Sequence, residues 1–279
     1  MLNVTRALRR SSKAAPEMPR IEALDDVYRA GLTFRRGEVV MIAGRSGSQK
    51  SGFGIWLVSE WNLPTLYFAA DMTLNEISSR LACARLGKTT AELAQDIEHG
   101  GEALAAIEAE LDNMKVQVAS GLITMPGIDA QIGAYVEMWN KYPEVIVIDN
   151  LMDVEGATSD YSEQMRVMEE IVALARVTGA TVLVLHHATD KSDQARNYST
   201  DPPTRSDIKN GMTEKPQLIL GVSLDPHAAP KPHMKVAILK QRMGPSDQTG
   251  KVGGRLFAIP DQTRFEKYTT PTQVLYGER

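Results

Sequence analysis

Residues 44–51 read GRSGSQKS, and the fold turns on how that string is read. It departs at one position from the phosphate-binding pattern G-x-x-x-x-G-K-[ST]: Gln49 stands where the second glycine belongs. The apolar run Val39-Val40-Met41-Ile42-Ala43 precedes it, and a helical pattern through Ile55, Leu57 and Val58 follows. Strand, loop and helix form the context such a loop requires. Chain amides at a helix N-terminus point at phosphates, and the helix dipole favours their charge. In this reading Gly44, Arg45, Ser46, Gly47, Ser48 and Gln49 make the cradle, Lys50 reaches the β- and γ-phosphates of ATP, and the Ser51 hydroxyl binds Mg²⁺. Glycine at the sixth place permits a positive φ, whereas a glutamine held there costs roughly 1 kcal/mol or more. Two outcomes are open: a working, slightly strained loop or a weakened one.

Outward from the loop, short apolar runs alternate with helical patterns. The runs are residues 39–43, 65–69, 121–124, 145–148 and 181–185, and the helical stretches are 52–60, 73–86, 89–114, 129–141 and 161–178. Continuous β-branched runs separated by helices predict a parallel sheet covered on both faces. Thr73 and Glu76 form a capping box directly after a strand. In 161–178 the apolar residues Met165, Met168, Val172 and Ala175, with Val167, Ile171 and Leu174, fill a wide face and predict a well-buried helix. After residue 215 three strands, 217–222, 234–239 and 255–259, follow without helices, and DPHAAPKPH (225–233) reads as a hairpin loop. The fold class is therefore α/β, mostly parallel, with an antiparallel C-terminal extension. Residues 1–20 read as a basic arm and 21–279 as the core.

Three more positions join the loop. Asp149 ends the apolar strand Val145-Ile146-Val147-Ile148, as does the Mg²⁺-holding acid of a phosphate-loop ATPase. Asp71 ends the strand after the loop helix, where an acid orients or deprotonates attacking water. His186 and His187 end another core strand, on the ligand side of such a sheet.

Composition bounds the function. Apolar residues make up 43% and the net charge is −4, so there is no global nucleic-acid footprint. The single cysteine, Cys83, excludes an internal disulfide and a four-thiolate zinc site. No apolar run approaches the ~20 residues of a membrane span and no apolar signal core is present, so a cytoplasmic setting is expected. Charge is uneven. Residues 230–255 carry Lys231, Lys235, Lys240, Arg242, Lys251 and Arg255 against Asp247, and 91–115 carry seven acids against Lys115. The arm carries Arg6, Arg9, Arg10, Lys13 and Arg20 against Glu17. Trp56, Trp61 and Trp139 fall on helical faces and are expected in the core. The polar stretch 189–211 is long enough to be functional. Its charges cancel, although Tyr198 offers a ring on which a base can stack.

In this order the motifs resemble the RecA-like motor core of the DnaB-type replicative helicases, in its small plasmid RepA-type and phage versions, with a likeness to mycobacteriophage members. The resemblance covers about residues 20–269. GLTFRRGEVVMIAGRSGSQKS (31–51) is similar to the segment running through Walker A. LYFAADMTLNEISSRLA (66–82) resembles the segment with a catalytic glutamate and, nine residues on, an arginine near the nucleotide; these positions are Asp71 and Arg80. VIVIDNL (145–151) resembles Walker B, and VLVLHHATD (182–190) the strand carrying a γ-phosphate sensor, here His187. RSDIKNGMTEKPQLIL (205–220) resembles the loop and strand contributing to single-stranded DNA contact, which points to Arg205 and Lys209. AILKQRMGP (237–245) is similar to the element that supplies a lysine and an arginine finger to the neighbouring subunit's ATP, here Lys240 and Arg242.

The resemblance implies an ATP-hydrolysing, single-stranded-DNA-dependent motor in phage replication or recombination. It implies a hexameric ring, with Mg²⁺-ATP between subunits and DNA in the channel, and no membrane partner. The chain departs from the family at Gln49, at the shorter acid Asp71, and in carrying a short basic arm in place of a primase-binding N-terminal domain. Rival readings are a RecA-like recombinase forming open filaments, a nuclease using Asp71, Asp149, His186 and His187 around a divalent ion, and a non-catalytic ATP-binding ring.

Overall fold

The computed structural model describes residues 16–157, 160–189 and 200–269. Arg6, Arg9, Arg10 and Lys13 of the expected arm, and Tyr198 of the polar loop, lie outside the described residues. The described chain is already packed at its start. Met18 is buried and its N–H donates to Phe34 O (2.9 Å), and Trp61 Nε1 donates to Pro19 O (3.0 Å).

A short helix α1 (Asp25–Arg29) precedes β1 (Val39–Gly44). There follow α2 (Lys50–Trp61), β2 (Thr65–Ala69), α3 (Leu74–Leu86), α4 (Thr90–His99), α5 (Gly101–Asp112), β3 (Val116–Ser120), α6 (Met125–Trp139), β4 (Val145–Asp149), α7 (Tyr161–Thr178) and β5 (Thr181–His187). The C-terminal part holds β6 (Leu218–Asp225), β7 (His233–Gln241), β8 (Gly253–Ile259) and β9 (Arg264–Lys267). The strands form one sheet in the order β3-β2-β4-β5-β1-β6-β7-β8-β9. β3 to β6 run parallel, and β7, β8 and β9 are antiparallel. Thus β6, the first strand of the expected extension, still belongs to the parallel set.

The central strands are buried along their whole length because helices cover both faces. One core, with Phe53, Trp56, Tyr67 and Ile77, lies under α2 and α3. The other, with Ile128, Ile132, Val167, Met168 and Ile171, lies under α6 and α7. Helix α2 is enclosed on nearly all sides, which is why its sequence lacks a polar face. The expected capping box at Thr73 is present: its Oγ1 accepts from Glu76 N (3.2 Å), and Thr73 N donates to the Glu76 carboxylate (2.8 Å).

Three expectations are corrected. The strand expected at 121–124 is instead β3, at Val116–Ser120; Gly121 (φ 105°) ends it and Leu122 is 81% exposed. As an edge strand it is only half covered, so it shows alternation and not a continuous apolar run. The helix expected over 89–114 is two helices, broken where Gly100 and Gly101 both take positive φ. Trp139 ends α6 half-exposed, while Trp56 and Trp61 are in the core. The acidic residues of α4 and α5 face outward. No helix among the described residues is long and apolar enough to cross a membrane.

Candidate active site

The parallel strands deliver their C-terminal ends to one edge of the sheet. In the register β1 ends at Gly44 beside His187 of β5 and Val222 of β6, while Ala69 of β2 is level with Asp149 of β4. The loop 44–51, Asp71, Asp149 and His187 therefore share that edge, where open α/β sheets bind ligands.

Gln49 adopts the left-handed conformation (φ 61°, ψ 28°) that a glycine normally fills, so the loop keeps its shape and carries the strain. Two glycines make this possible. A Cβ on Gly44 would lie 2.2 Å from Ser48 Oγ, so the loop closes only over a glycine there. A Cβ on Gly52 would lie 2.8 Å from Gln49 Oε1, so the glutamine side chain rests on the bare first turn of α2. Lys50 and Ser51 begin that helix.

The loop is closed onto β4. Ser51 Oγ donates to Asp149 Oδ1 (3.2 Å), and the buried Tyr67 hydroxyl donates to Asp149 Oδ2 (2.9 Å). Burial raises the Asp149 pKa; the hydrogen bonds from Tyr67 and Ser51 and the charge of Lys50 oppose that rise. A hydroxyl and a carboxylate beside a lysine are hard oxygen donors of the kind Mg²⁺ takes, so these residues fit a phosphate-bound magnesium ion.

Beside Asp149 the chain turns through a 3₁₀ segment, Leu151–Asp153. Asn150 Nδ2 donates to Asp71 Oδ2 (3.3 Å) and also to the Asp153 carboxylate. Burial, with the negative charge of Asp71, raises the Asp153 pKa to about 6. Asp71, Asn150, Asp153, His187 and Lys209 line one cavity of about 390 Å³. Sequence reasoning missed Tyr67, Asn150 and Asp153. A tyrosine inside an apolar strand signals a buried hydroxyl that needs a partner, but nothing local marks Asp153.

The other candidates are placed differently. His186 is fully buried, its Nε2 donating to Lys209 O (2.9 Å), and burial lowers its pKa to about 4. It secures the segment 205–211 and does not face the carboxylates. Among the described residues no group of three or more His, Cys, Asp and Glu side chains is arranged to hold a metal ion, so the four-residue nuclease cluster is not assembled. The Arg45 guanidinium turns away from the cradle to Asp207 Oδ2 (3.3 Å) and Asp201 O (3.1 Å). Arg80 is exposed on α3, near enough for its charge to act on Tyr67. Lys209 reaches the carboxylate cavity, whereas Arg205 lies near Lys240.

Lys240 and Arg242 lie at the opposite edge. Gln241 pairs with Leu218, which pairs with Val40, so the K-Q-R element is level with the start of β1. The loop begins four residues further along, about 13 Å at ~3.3 Å per residue, and two strands across. Lys240 Nζ donates to Thr213 O and Glu214 O (2.7 Å each), and burial with the charges of Arg242 and Arg205 lowers its pKa to about 8. Gln241 Nε2 donates to Gly31 O (2.8 Å) and its Oε1 accepts from Thr33 N (3.0 Å), which fixes the strand end carrying both cations.

Comparison with known proteins bears on the family and the fold. A family model described as the DnaB-like helicase C terminal domain matches residues 20–266. The Gene 65 protein of Mycobacterium phage L5 is 27% identical over 269 residues, 93% of this chain and 96% of that one. The Gene 65 protein of Mycobacterium phage D29 is 25% identical over 240 residues, 82% of this chain and 99% of that one. Among solved structures, a DnaB-like replicative helicase described with its interactions with primase superposes with a TM-score of 0.78 at 16% identity, covering 96% of this chain and 68% of that one. A second solved structure, described as an ATPase domain, superposes with a TM-score of 0.74 at 17% identity, covering 95% of this chain and 97% of that one.

Proposed function

The chain belongs to the DnaB-like helicase C-terminal domain family, and from that premise we propose that it is an ATP-hydrolysing, single-stranded-DNA-dependent motor. It acts in phage DNA replication or recombination, in the host cytoplasm, as a ring with ATP sites between subunits. The observation that carries this reading is the 3.2 Å contact by which Ser51 of the phosphate loop meets Asp149 on β4.

In this mechanism Lys50 and the first-turn amides of α2 would hold the β- and γ-phosphates, and Ser51 and Asp149 would hold Mg²⁺. The ion, when bound, neutralises charge on the phosphate oxygens. Asp71 orients the attacking water and takes its proton, with Asn150 fixing the carboxylate. His187, beside Gly44, senses the γ-phosphate. Lys240 and Arg242 are too far from their own loop to serve it, which supports their acting on the neighbouring subunit's ATP, where a finger arginine is worth a large factor in rate.

The test is ATP turnover with and without single-stranded DNA in the wild type and Lys50→Ala. DNA-stimulated turnover abolished by Lys50→Ala is expected. Intact nucleotide binding without turnover in the wild type would make the protein a non-catalytic ATP-binding ring. Filaments instead of rings in electron micrographs with ATP and DNA would assign a recombinase.

A further inference from the structure

Lys240 and Arg242 account for only part of the basic run at 230–255. Lys235 on β7 and Arg255 on β8 are direct cross-strand partners. Like charges in that relation destabilise a hairpin, a repulsion that Asp201 offsets at Lys235 and no ion pair among the described residues offsets at Arg255. Both line a cavity of about 640 Å³, together with Lys251 and the phosphate loop's Arg45.

Two carboxylates line it as well, and each already has a cation: Asp207 lies 3.3 Å from Arg45, and Asp201 lies 2.8 Å from Lys235. Among the described residues neither Lys251 nor Arg255 stands in an ion pair, although Arg255 lies over the Tyr268 ring. Among the described residues that line the cavity, four cations face two carboxylates, and Asp247 acts on Lys251 from beside it.

Two of the residues lining it are glycines whose backbone surroundings admit no side chain. A Cβ on Gly253 would lie 1.9 Å from Val236 O, and one on Gly254 would lie 2.7 Å from Val27 N. Among the described residues no aromatic ring lines it. Its described lining therefore offers charge and hydroxyls to phosphates.

We propose that this cavity binds the phosphodiester backbone of a nucleic-acid strand through Lys235, Lys251 and Arg255, with Arg45 linking its occupancy to the phosphate loop. A strand suits it better than a mononucleotide, because successive phosphates occupy the cations while the bases stay outside. The proposal deepens the motor reading and rests on it for the choice of a strand. Arg45 follows Gly44 directly, so a phosphate that draws its guanidinium from Asp207 pulls on the loop itself.

The experiment is anisotropy of a labelled oligothymidine against the full-length protein, across a salt series with a non-hydrolysable ATP analogue. The variants are Lys251→Gln/Arg255→Gln and, as an equal loss of charge away from the cavity, Lys231→Gln/Lys267→Gln. The first variant is expected to bind about tenfold more weakly at low salt. Its log–log salt slope should be shallower by about 1.4, at ~0.7 per phosphate contact. The second should keep the wild-type slope. Equal affinity and slope in the first variant and the wild type, equal losses in both variants, or a wild type that does not bind would each overturn the proposal. A loss of ATP-analogue affinity without a change in oligothymidine binding would make the cavity a mononucleotide pocket and overturn it too. A wild type that binds as described but never hydrolyses ATP would sink the motor reading and leave this site standing.

Discussion

Arg45 of the phosphate loop and Asp207 of the segment returning from β5 form a buried ion pair, 3.3 Å apart and 11% and 8% exposed. Asp207 also accepts from Thr204 N and Thr204 Oγ1 (2.9 Å each), so one carboxylate ties the loop 44–51 to the chain that leads into β6. Removing one partner of a buried pair costs about 3 kcal/mol or more where nothing else faces the remaining charge. Arg45 keeps its bond to Asp201 O, so Asp207→Asn is expected to lower unfolding free energy in urea titration by less, about 1–2 kcal/mol. A single-variant loss below about 0.5 kcal/mol, the level of ordinary surface changes, would show the pair to be effectively solvated.

Gln49 and Gly52 are coupled through space, since a Cβ on Gly52 would lie 2.8 Å from the glutamine Oε1. Alanine is better than glycine in a helix by about 1 kcal/mol. Gly52→Ala should yield that gain in a Gln49→Gly background. In the wild type, where the side chain must move, it should yield less and slow ATP turnover. A double-mutant cycle with no interaction energy would refute the packing. Gln49→Gly alone relieves about 1 kcal/mol of strain and should not reduce turnover.

Asn150 holds Asp71 and Asp153 with the same amide nitrogen. If Asp71 is the carboxylate that meets the attacking water, Asp71→Asn should lower turnover by about 10²-fold or more. Asp153→Asn leaves Asp71 in place but faces an amide with an amide. It should lower kcat by roughly 10-fold with KM for ATP unchanged, the signature of misplacement. A change in KM alone would assign Asp153 to nucleotide binding.

If each ATP is completed by the neighbour's Arg242, two crippled chains should rescue one another. Lys50→Ala and Arg242→Ala should each be inactive alone, with losses of about 10³-fold for the finger. Mixed before assembly, they should regain a measurable fraction of wild-type turnover. No regain in a mixture shown to co-assemble would place the arginine's action within its own subunit.

His186 links stability to acid. Burial holds its folded pKa at about 4, against 6.5 when unfolded. Between these values the unfolded chain takes up a proton that the folded chain refuses. The stability is fully present above pH 6.5 and falls as pH drops towards 4, by on the order of 3 kcal/mol at full extent. His186→Gln can still donate to Lys209 O and should flatten this limb in unfolding free energies measured from pH 7 to 4. Equal slopes in the two proteins would assign the acid sensitivity elsewhere.

The sheet was legible in sequence wherever a strand is buried on both faces, because residues 39–43, 65–69, 145–148 and 181–185 are then continuously apolar. The edge strand β3 was misplaced because one of its faces meets water and its pattern alternates. The left-handed Gln49 was legible too, since the loop's geometry demands that conformation whichever residue supplies it. The direction of the Arg45 side chain was not, because it depends on Asp207, 162 residues away. Asp153 escaped for a similar reason: a turn acid acquires meaning only when Asn150 and Asp71 fold against it.

Helices α4 and α5 stand apart from the two large cores. Leu93 and Ile107 pack on Ala82 and Cys83 at the back of α3, in a small cluster of their own. At the tip between them, added side chains at Gly100 and Gly101 would meet no atom within 4 Å. The pair is thus an outboard fitting carried by α3, and its tip is a place to splice in a fluorophore-bearing peptide. A probe there sits outside both large cores, and its tumbling reads the size of whatever the chain assembles into.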